Sequence, residues 1–447
     1  MATGVSETSP AEDDAEREPL LKHPAEGALS FDEGSLLATS ICLCKAAIGA
    51  GVLSIATHCA DVGFFFTLVA LIAGGVLTII SIRMIGEASI ATGCWSFEDI
   101  SDQLFHPSLS IVTGLIQSCN CLGAAAAYLI ICGQIFQVLS ATGKNLFRTF
   151  VIATGIFICL PLALARHVNF LRYVSVVSVS GLIFLVLAVA YVLSKHGPDS
   201  TISTSTFWGG AGDAGVFVYM NCLNLVVFAY NNQFNVPQLT GELRKRDMEQ
   251  VSGVANLSTI SVAILYLSVS ILGLITFGVG QRQLDTLVLD LQPHANNPVV
   301  IAALIMVMFS TLMCFEFHIY PIRQFLAYTV RKCRGRGKDE EESDEKLMGI
   351  SMTRWLDICC ATGAVTFAII IAVRLESVKY ILDFVGAFAA AYTSYVVPPM
   401  WILKLRSRPT SETGDNAVMQ SQPVLNWVVF GIGLFFFVFG TYAALAD

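Results

Sequence analysis

The sequence has little charge for its length. Of its 447 residues, 13% are charged and 55% are hydrophobic, whereas roughly a quarter of the residues in a soluble domain are charged. Stretches of about 20 mostly apolar residues, the length that crosses a bilayer as a helix, recur along nearly the whole chain. The alternating pattern of an outer-membrane barrel is missing. The composition therefore excludes a soluble domain and predicts an all-α polytopic membrane protein.

Motifs for metal binding, enzyme chemistry and nucleic acid are missing as well. The 13 cysteines are scattered without a CxxC pair or a metal-ligand spacing, which favours isolated thiols over a disulfide or metal framework. There is no Gly-rich phosphate loop, no nucleophile elbow and no His/Glu metal motif. Much of the acid behind the net charge of −8 lies in two solvated segments, 11–18 and 338–346. We therefore expect no enzyme activity, no cofactor, no metal and no nucleic acid partner.

The apolar segments that are present predict eleven transmembrane helices. Lys and Arg are concentrated in the loops on the side of the N-terminus, which places the N-terminus in the cytosol. Residues 1–30 are acidic and polar, so we expect no cleavable signal peptide. The predicted helices cover residues 35–57, 62–85, 109–139, 147–165, 171–193, 214–237, 252–279, 298–328, 353–373, 378–402 and 423–444.

Ten of these helices form two halves of five, and the odd number in each half gives the halves opposite orientations. The predicted organisation is a disordered cytosolic tail (1–34), a first half (35–193), an extracytosolic loop (194–213), a second half (214–402) that contains a cytosolic loop (329–352), another cytosolic loop (403–422), and the eleventh helix with the C-terminus (423–447).

The first helix of each half is interrupted. Helix 1 contains Gly49-Ala50-Gly51, and helix 6 contains the polar stretch FAYNNQFNVPQLTGEL (228–243). Non-helical backbone at membrane depth survives only where it is buried in protein or lines a cavity. Interruptions at matching places of two inverted halves indicate the binding site of a transporter: free amides attract a carboxylate, and freed carbonyls suit an ammonium. The alternative for Gly49 and Gly51 is close helix packing.

Several of these stretches resemble the amino acid/auxin permease family. AAIGAGVLSI (46–55) followed by ADVGF (60–64) is similar to its first-helix signature, and FAYNNQFNVPQLTGELRKRDMEQV (228–251) to its sixth helix and the following loop. YPIRQFL (320–326) and LDFVGAF…PPMWILKL (382–405) resemble the ends of helices 8 and 10. The resemblance covers about residues 30–445 and is nearest to the branch of sodium-coupled neutral amino acid transporters.

The resemblance implies a LeuT-type fold, a 5+5 inverted repeat with broken helices 1 and 6 at the substrate and helices 3, 8 and 10 completing the site. It also implies secondary active transport of amino acids. Asn120 and Gln117 in helix 3 are weaker candidates for substrate contact. The predicted substrate-binding residues are Gly49, Ala50, Gly51, Asn120, Phe228, Ala229, Tyr230, Asn231 and Asn232.

Lys45 departs from the sodium-coupled branch, in which an asparagine commonly precedes the glycine motif and helps to hold sodium. A buried ammonium can take the place of a bound cation, and at 4 Å with an effective dielectric of 20 it would repel Na⁺ by about 4 kcal/mol. An ionisable group inside a membrane also suits proton transfer. We therefore favour proton coupling or facilitated exchange over sodium coupling. The alternative is that Lys45 snorkels towards the cytosol, about 15 Å away along the helix.

Helix 8 carries further candidates for ion coupling. In relatives a hydroxyl group of this helix helps to complete a sodium site near helix 1, which makes Ser310 or Thr311 the candidate. Glu316 and His318 are ionisable and could relay a proton, although Glu316 near the membrane interface could equally be solvated. In helix 10, Asp383 could simply face the outer vestibule, and Tyr392, Thr393 and Tyr395 could line the cavity or face lipid.

The leading hypothesis is an alternating-access transporter of amino acids, most simply neutral ones, coupled to H⁺ or Na⁺. The alternatives are a sodium-coupled symporter, an amino acid sensor that signals through its tail, and a channel. EREPLL (16–21) matches an acidic-dileucine sorting signal, which favours a lysosomal or vacuolar membrane over another endomembrane or the plasma membrane. The expected partners are the amino acid and the lipid bilayer, and the sequence leaves the oligomeric state open.

Overall fold

A computed structural model describes residues 34–140, 144–164, 169–210, 212, 214–279, 286–333, 346–347, 350–408 and 422–446. The predicted tail with its sorting motif and most of the acidic loop lie outside these residues. The helices are α1 (Leu36–Ala47), α2 (Ala50–Val62), α3 (Phe64–Thr92), α4 (Phe97–Leu104), α5 (Pro107–Ser140), α6 (Lys144–Thr154), α7 (Leu160–Leu164), α8 (Asn169–His196), α9 (Thr204–Gly209), α10 (Val216–Ala229), α11 (Val236–Glu242), α12 (Met248–Phe277), α13 (Leu287–Asp290), α14 (Pro298–Cys333), α15 (Met352–Leu375), α16 (Val378–Val385), α17 (Val397–Arg406), α18 (Pro423–Phe435) and α19 (Thr441–Ala446).

Tighter and wider helical turns connect some of these helices, and the described residues contain one short pair of strands. Strands β1 (Lys346–Leu347) and β2 (Ile350–Ser351) pair antiparallel just before α15. The 3₁₀ turns are Gln233–Asn235 and Gln292–His294, and the π-helical turns are Gly155–Cys159, Gly386–Ala390, Tyr392–Val396 and Phe436–Gly440.

The described residues contain nine helical segments that are long and apolar enough to cross a membrane, or ten when the bent pair α1–α2 is taken as one span. The chain is therefore a multi-pass membrane protein. The predicted sixth helix, 214–237, is divided between α10 and α11, each of which is shorter than a span. The nine segments are Phe64–Thr92, Pro107–Ser140, Leu146–Leu164, Ser175–His196, Met248–Phe277, Pro298–Val330, Trp355–Leu375, Val378–Arg406 and Pro423–Ala446.

Several predicted helix ends differ from the structure; helix 8, for example, continues to Cys333 rather than residue 328. Two of the differences have a visible cause. The first span continues to Val62 rather than residue 57, and it stops at Gly63, whose φ of 86° favours glycine. A side chain at Gly63 would also collide with the backbone carbonyl of Trp208. The second span continues to Thr92 rather than residue 85, because Glu87 on the added turns is buried in protein packing. Hydropathy ended both helices too early, since protein contacts extend them.

Apolar side chains lie on both the inside and the outside of the bundle. Small residues such as Ala124–Ala127 of α5 are fully buried in the centre, whereas Phe157, Val216 and Phe439 are more than half exposed. Exposed apolar surface on this scale is rare on soluble monomers and fits contact with lipid. The lipid-facing helices therefore surround a protein-lined centre, in which the interrupted segments lie.

Helix α4 lies outside the spanning segments and packs on α17. Ser96 caps its N-terminus by accepting a hydrogen bond from the amide of Asp99 at 3.1 Å. Trp401 Nε1 donates to Ser101 Oγ at 3.1 Å, which fixes α4 against the bundle. Glu98 is buried in this contact, and loss of hydration raises the pKa of its carboxyl to about 7.

We expect Glu98→Gln to stabilise the protein above neutral pH. Because the pKa of Glu98 is raised on folding from 4.5 to about 7, ionisation costs nothing below pH 4.5 and its full cost, at most about 3 kcal/mol, is present above pH 7. The unfolding temperature of Glu98→Gln should therefore match that of the wild type near pH 4.5 and exceed it at pH 8. Exposed Glu249→Gln is the control, and equal curves for Glu98→Gln and the wild type at pH 8 would contradict the assignment.

Candidate functional site

The first span is broken between α1 and α2, which meet at an angle of 55°. Ile48 and Gly49 connect the two helices outside helical geometry. Helix ends leave carbonyl groups unsatisfied at the C-terminus of α1 and amide groups unsatisfied at the N-terminus of α2. The break therefore presents acceptors and donors of hydrogen bonds at the centre of the bundle.

A second break divides the predicted sixth helix. Helix α10 ends at Ala229, residues 230–232 are irregular, and a short 3₁₀ turn leads into α11. Pro237 lies in the first turn of α11, where its missing amide hydrogen removes no helical hydrogen bond. The sequence therefore interrupts the helix with three polar or aromatic residues and starts it again with proline.

The two breaks contact each other directly. A Cβ atom added to Gly51 would lie 2.9 Å from the Cα atom of Ala229, so the two backbones approach as closely as glycine allows. The hydroxyl of Tyr266 in α12 lies 2.9 Å from Ala47 O and 2.7 Å from Ala229 O, the carbonyl groups at which α1 and α10 end. Gly51 therefore lies at a close packing contact, one of the two alternatives from the sequence, in the first turn of α2 next to the break at Ile48 and Gly49.

Tyr266 was not among the predicted site residues. It is fully buried, and a tyrosine in an apolar helix is the kind of residue that needs a hydrogen-bond partner. A tyrosine in such a helix could therefore have been identified from the sequence as a residue that needs a buried partner. Its partners lie 219 and 37 residues away in the chain, so no local pattern in the sequence identifies them.

We expect Tyr266→Phe to destabilise the protein by about 1–3 kcal/mol, because the buried carbonyl group of Ala229 loses its donor. Ala47 O keeps the amide of Gly49, at 2.9 Å, as a donor. The change keeps the ring and removes one oxygen atom, so packing is preserved. Thermal unfolding of the purified protein measures the effect. Tyr191→Phe, at a more exposed position of α8, is the matched control, and a loss of stability equal to that of the control would show that the hydroxyl is dispensable.

Lys45 points across the bundle rather than along its own helix. It is 0% exposed, and its ammonium donates to Ser310 O at 2.9 Å and to Ser310 Oγ at 2.8 Å. The snorkelling alternative is therefore wrong in this conformation. Cys314, one turn further along α14, contacts Ile48 O at 3.6 Å. Helix α14 thus holds both the lysine and the backbone of the first break.

A cluster of amides surrounds the second break. Asn231 Nδ2 donates to Asn120 Oδ1 at 2.8 Å, and Ser394 Oγ donates to Asn231 Oδ1 at 3.3 Å. Asn232 Nδ2 donates to Leu43 O at 3.3 Å. Three buried atoms of the cluster have no hydrogen-bond partner in the structure: Asn120 Nδ2, Asn232 Oδ1 and Gln233 Nε2. Unsatisfied buried polar atoms cost about 1–3 kcal/mol each, which a polar ligand would recover.

An aromatic cluster covers the first break. A side chain at Gly49 would collide with the hydroxyl of Tyr128. The Tyr128 ring lies 5.2 Å from the ring of His318, which lies 4.9 Å from the ring of Phe234. His318 Nδ1 is 3.0 Å from Cys314 O. His318 is therefore part of the aromatic cluster that covers the first break.

The remaining predicted residues lie around the two breaks. Ala50 begins α2, Phe228 packs against Gly386 of the π-helical turn after α16, and Tyr230 approaches Gly74 of α3. Among the described residues, Thr311 and Glu316 make no hydrogen bond to Lys45. Thr311 Oγ1 instead donates within α14 and contacts Cys132 of α5 at 3.3 Å, and Glu316 Oε2 is buried without a hydrogen-bond partner.

The breaks are closed to both sides of the membrane in this conformation, since Lys45, Ala50, Tyr230 and Asn232 are each at most 1% exposed. In the part of the chain that the structure describes, no group of three or more His, Cys, Asp or Glu side chains could hold a metal ion. The site can consequently bind a ligand through hydrogen bonds and charge. The groups available are backbone amides and carbonyls, carboxamides, one lysine and one histidine.

Comparison with known proteins agrees with this geometry. The sequence profile of the family described as "Transmembrane amino acid transporter protein" matches residues 32–446. "Vacuolar amino acid transporter 5" of Schizosaccharomyces pombe is 24% identical over 391 residues, 85% of this chain and 86% of the relative. "Vacuolar amino acid transporter 6" of Saccharomyces cerevisiae is 23% identical over 81% of this chain and 88% of its own length. "Sodium-coupled neutral amino acid symporter 2" of Danio rerio is 22% identical over 81% and 73%. The profile match covers nearly the whole length of the chain, and it agrees with two contacting breaks at the centre of a multi-pass bundle. The chain belongs to the transmembrane amino acid transporter family, also called the amino acid/auxin permease family.

Proposed function

We propose that this protein moves neutral amino acids across a membrane by alternating access, as a secondary active transporter. The observation that carries the proposal is the contact of two interrupted spans at the bundle centre, joined by the hydroxyl of Tyr266. Such breaks supply the dipoles that a zwitterion needs. The names of the similar vacuolar and sodium-coupled proteins support the substrate class.

The proposed architecture is a LeuT-type 5+5 repeat of eleven spans, with the N-terminus in the cytosol. This count consists of nine spans, the bent pair α1–α2 as the first span, and α10 with α11 as the broken sixth span. Helices α1 and α10 then open the two halves. The face at which α2 ends is extracytosolic in this arrangement, because Lys and Arg are concentrated in the loops of the opposite face.

The substrate would bind between the two breaks. Its carboxylate would accept hydrogen bonds from the amides at the start of α2, around Gly49–Gly51. Its ammonium would donate to carbonyls at the end of α10 and to the carboxamide oxygen of Asn232, which lacks a partner when the site is closed. Tyr128 lies over Gly49, so its ring would have to turn aside to admit the carboxylate.

Proton coupling follows from Lys45. Its ammonium lies between a carbonyl and a hydroxyl oxygen of Ser310, two oxygen ligands that would equally suit a sodium ion. A second cation at about 4 Å would be repelled by about 4 kcal/mol at an effective dielectric of 20. Lys45 therefore takes the place of Na⁺. The similarity to a sodium-coupled symporter keeps sodium coupling as the second candidate.

The proposed location is a lysosomal or vacuolar membrane. Two of the similar proteins are named as vacuolar transporters, and the EREPLL motif supports the same compartment. There the lumen is acidic, and a proton gradient is available to drive transport. A fluorescent fusion of the full chain, compared with Leu20→Ala/Leu21→Ala, tests the motif: both proteins in the same membrane would remove its role.

Flux into proteoliposomes tests the transport proposal. Radiolabelled neutral amino acids are offered while the Na⁺ gradient and the pH gradient are imposed separately. We expect saturable uptake that follows the pH gradient without Na⁺. Uptake driven only by Na⁺ would replace proton coupling with sodium coupling. Binding without flux would indicate a sensor, and non-saturable current would indicate a channel.

A further inference from the structure

Two pairs of ionisable side chains join the end of α2 to α16. His58 Nε2 lies 3.4 Å from Asp383 Oδ1, and Asp61 Oδ2 lies 3.5 Å from Lys379 Nζ. His58 and Asp61 are three residues apart on α2, and Lys379 and Asp383 are four apart on α16, so each pair of neighbours shares a helix face. The two contacts therefore connect one face of α2 to one face of α16.

The inner pair is sealed from water. His58 is 1% exposed and Asp383 is 3% exposed, so the expectation that Asp383 faces an open vestibule is wrong in this conformation. His58 Nε2 and Asp383 Oδ1 have no hydrogen bond that meets strict geometric limits. These two atoms face each other at 3.4 Å, and an isolated buried charge here would be unfavourable.

The contact at the other ring nitrogen fixes where the protons lie. His58 Nδ1 is 3.0 Å from Ser54 O, and because a carbonyl oxygen only accepts, Nδ1 carries a hydrogen. If Asp383 is ionised, Nε2 must also be protonated to face it. If the imidazole is neutral, the lone pair of Nε2 requires a protonated carboxyl group. In either arrangement the pair carries one more proton than a neutral histidine beside an ionised aspartate would carry.

We propose that His58 and Asp383 form a proton-binding pair that closes the passage between α2 and α16. Closure takes up one proton from the water at the face where α2 ends, and no other atom is exchanged. When that proton leaves, a lone pair and a carboxylate face each other with a net negative charge, and hydration separates the two helices. The proposal deepens the proposed transport function and rests on it for its role, since it assigns a proton site to the opening of one face.

Other ionisable groups lie on the elements that pack around this pair. The Asp61–Lys379 contact is more exposed than the His58–Asp383 contact, with the Lys379 side chain at 28%. These groups include Asp61 and Cys59 of α2, Lys379 and Tyr380 of α16, Cys222 of α10, Cys121 and Tyr128 of α5, Tyr266 of α12, Asp290 of α13 and Tyr442 of α19.

The test follows the reactivity of His58 in the purified full-length protein. Diethyl pyrocarbonate modifies neutral imidazoles, peptide mass spectrometry locates the product, and exposed His106 gives the reference rate. The His58/His106 ratio should be low near pH 6 and rise at least about tenfold towards alkaline pH as the pair opens. Asp383→Asn donates to Nε2 without an exchangeable charge, so its ratio should stay low at every pH. Asp383→Leu should give a high ratio throughout.

The neighbouring pair supplies the control, because Lys379→Gln should follow the wild-type curve. A wild-type ratio that does not change with pH, or an Asp383→Asn curve that follows the wild type, would overturn the proton-binding pair. Uptake in proteoliposomes gives the second readout: its dependence on the pH at the α2 end should disappear in Asp383→Asn. If the wild type shows no flux, the transport proposal fails, but the labelling still tests the proton-binding pair. If flux is present and the labelling ratio does not change with pH, the proton-binding pair fails and the transport proposal stands.

Discussion

Replacing Lys45 with asparagine is expected to weaken the proton dependence of transport and to introduce stimulation by Na⁺. The ammonium of Lys45 contacts two oxygen atoms of Ser310, where its charge repels a second cation. Asparagine offers an uncharged oxygen in its place, so repulsion of about 4 kcal/mol disappears. Since 1.4 kcal/mol corresponds to tenfold in affinity, Na⁺ affinity should rise by about two to three orders of magnitude.

Uptake of a labelled neutral amino acid, measured with the pH gradient and the Na⁺ gradient imposed one at a time, checks this result. Lys195→Asn, at an exposed lysine near the end of α8, is the matched control and should keep the wild-type profile. Uptake by Lys45→Asn that still follows the pH gradient and ignores Na⁺ would remove Lys45 from the coupling site.

Replacing Gly51 with alanine is expected to reduce transport at least about tenfold, and valine should nearly abolish it. The added Cβ would lie 2.9 Å from both Cα and Cβ of Ala229, and backbone cannot move aside as a flexible side chain does. The two breaks must then separate, which disturbs the contacts of Tyr266 with Ala47 and Ala229. Overpacking of this kind typically costs about 1–3 kcal/mol.

Gly363→Ala is the control for this substitution. Gly363 is also within a helix, α15, but an added Cβ would meet open space, so alanine should leave both uptake and stability unchanged. Monodisperse Gly51→Ala protein with a lower uptake rate would locate the defect at the breaks. Normal uptake by Gly51→Ala would mean that the close approach of the breaks is not required.

The sequence was sufficient to predict the membrane class and the positions of both breaks, because these depend on local composition. Runs of apolar residues predict spans, and glycines or asparagines within them predict interruptions. Helix ends were less accurate: Gly63 and the turns around Glu87 are determined by contacts with distant segments. Hydropathy contains no information about those contacts.

The partners of the polar side chains could not be predicted in the same way. Lys45 was a clear candidate as a charge in an apolar helix, but Ser310 is 265 residues away, and the sequence left snorkelling open. Tyr266 and His58 were missed, since no local sequence pattern marks either residue as functional. Their importance follows from what lies opposite them, Ala47 with Ala229 in one case and Asp383 in the other.

Tyr266 has one hydrogen atom for two carbonyl oxygens. The hydroxyl can therefore donate a strong hydrogen bond to Ala47 O in the first half of the fold or to Ala229 O in the second half, but not to both at once. If the halves slide apart and the hydroxyl stays with Ala47 O, which also accepts from the amide of Gly49, Ala229 O is left as an acceptor without a donor, in the same place where an incoming amino group needs one. Binding of the substrate and release of the contact between the two halves would then be one exchange of hydrogen-bond partners.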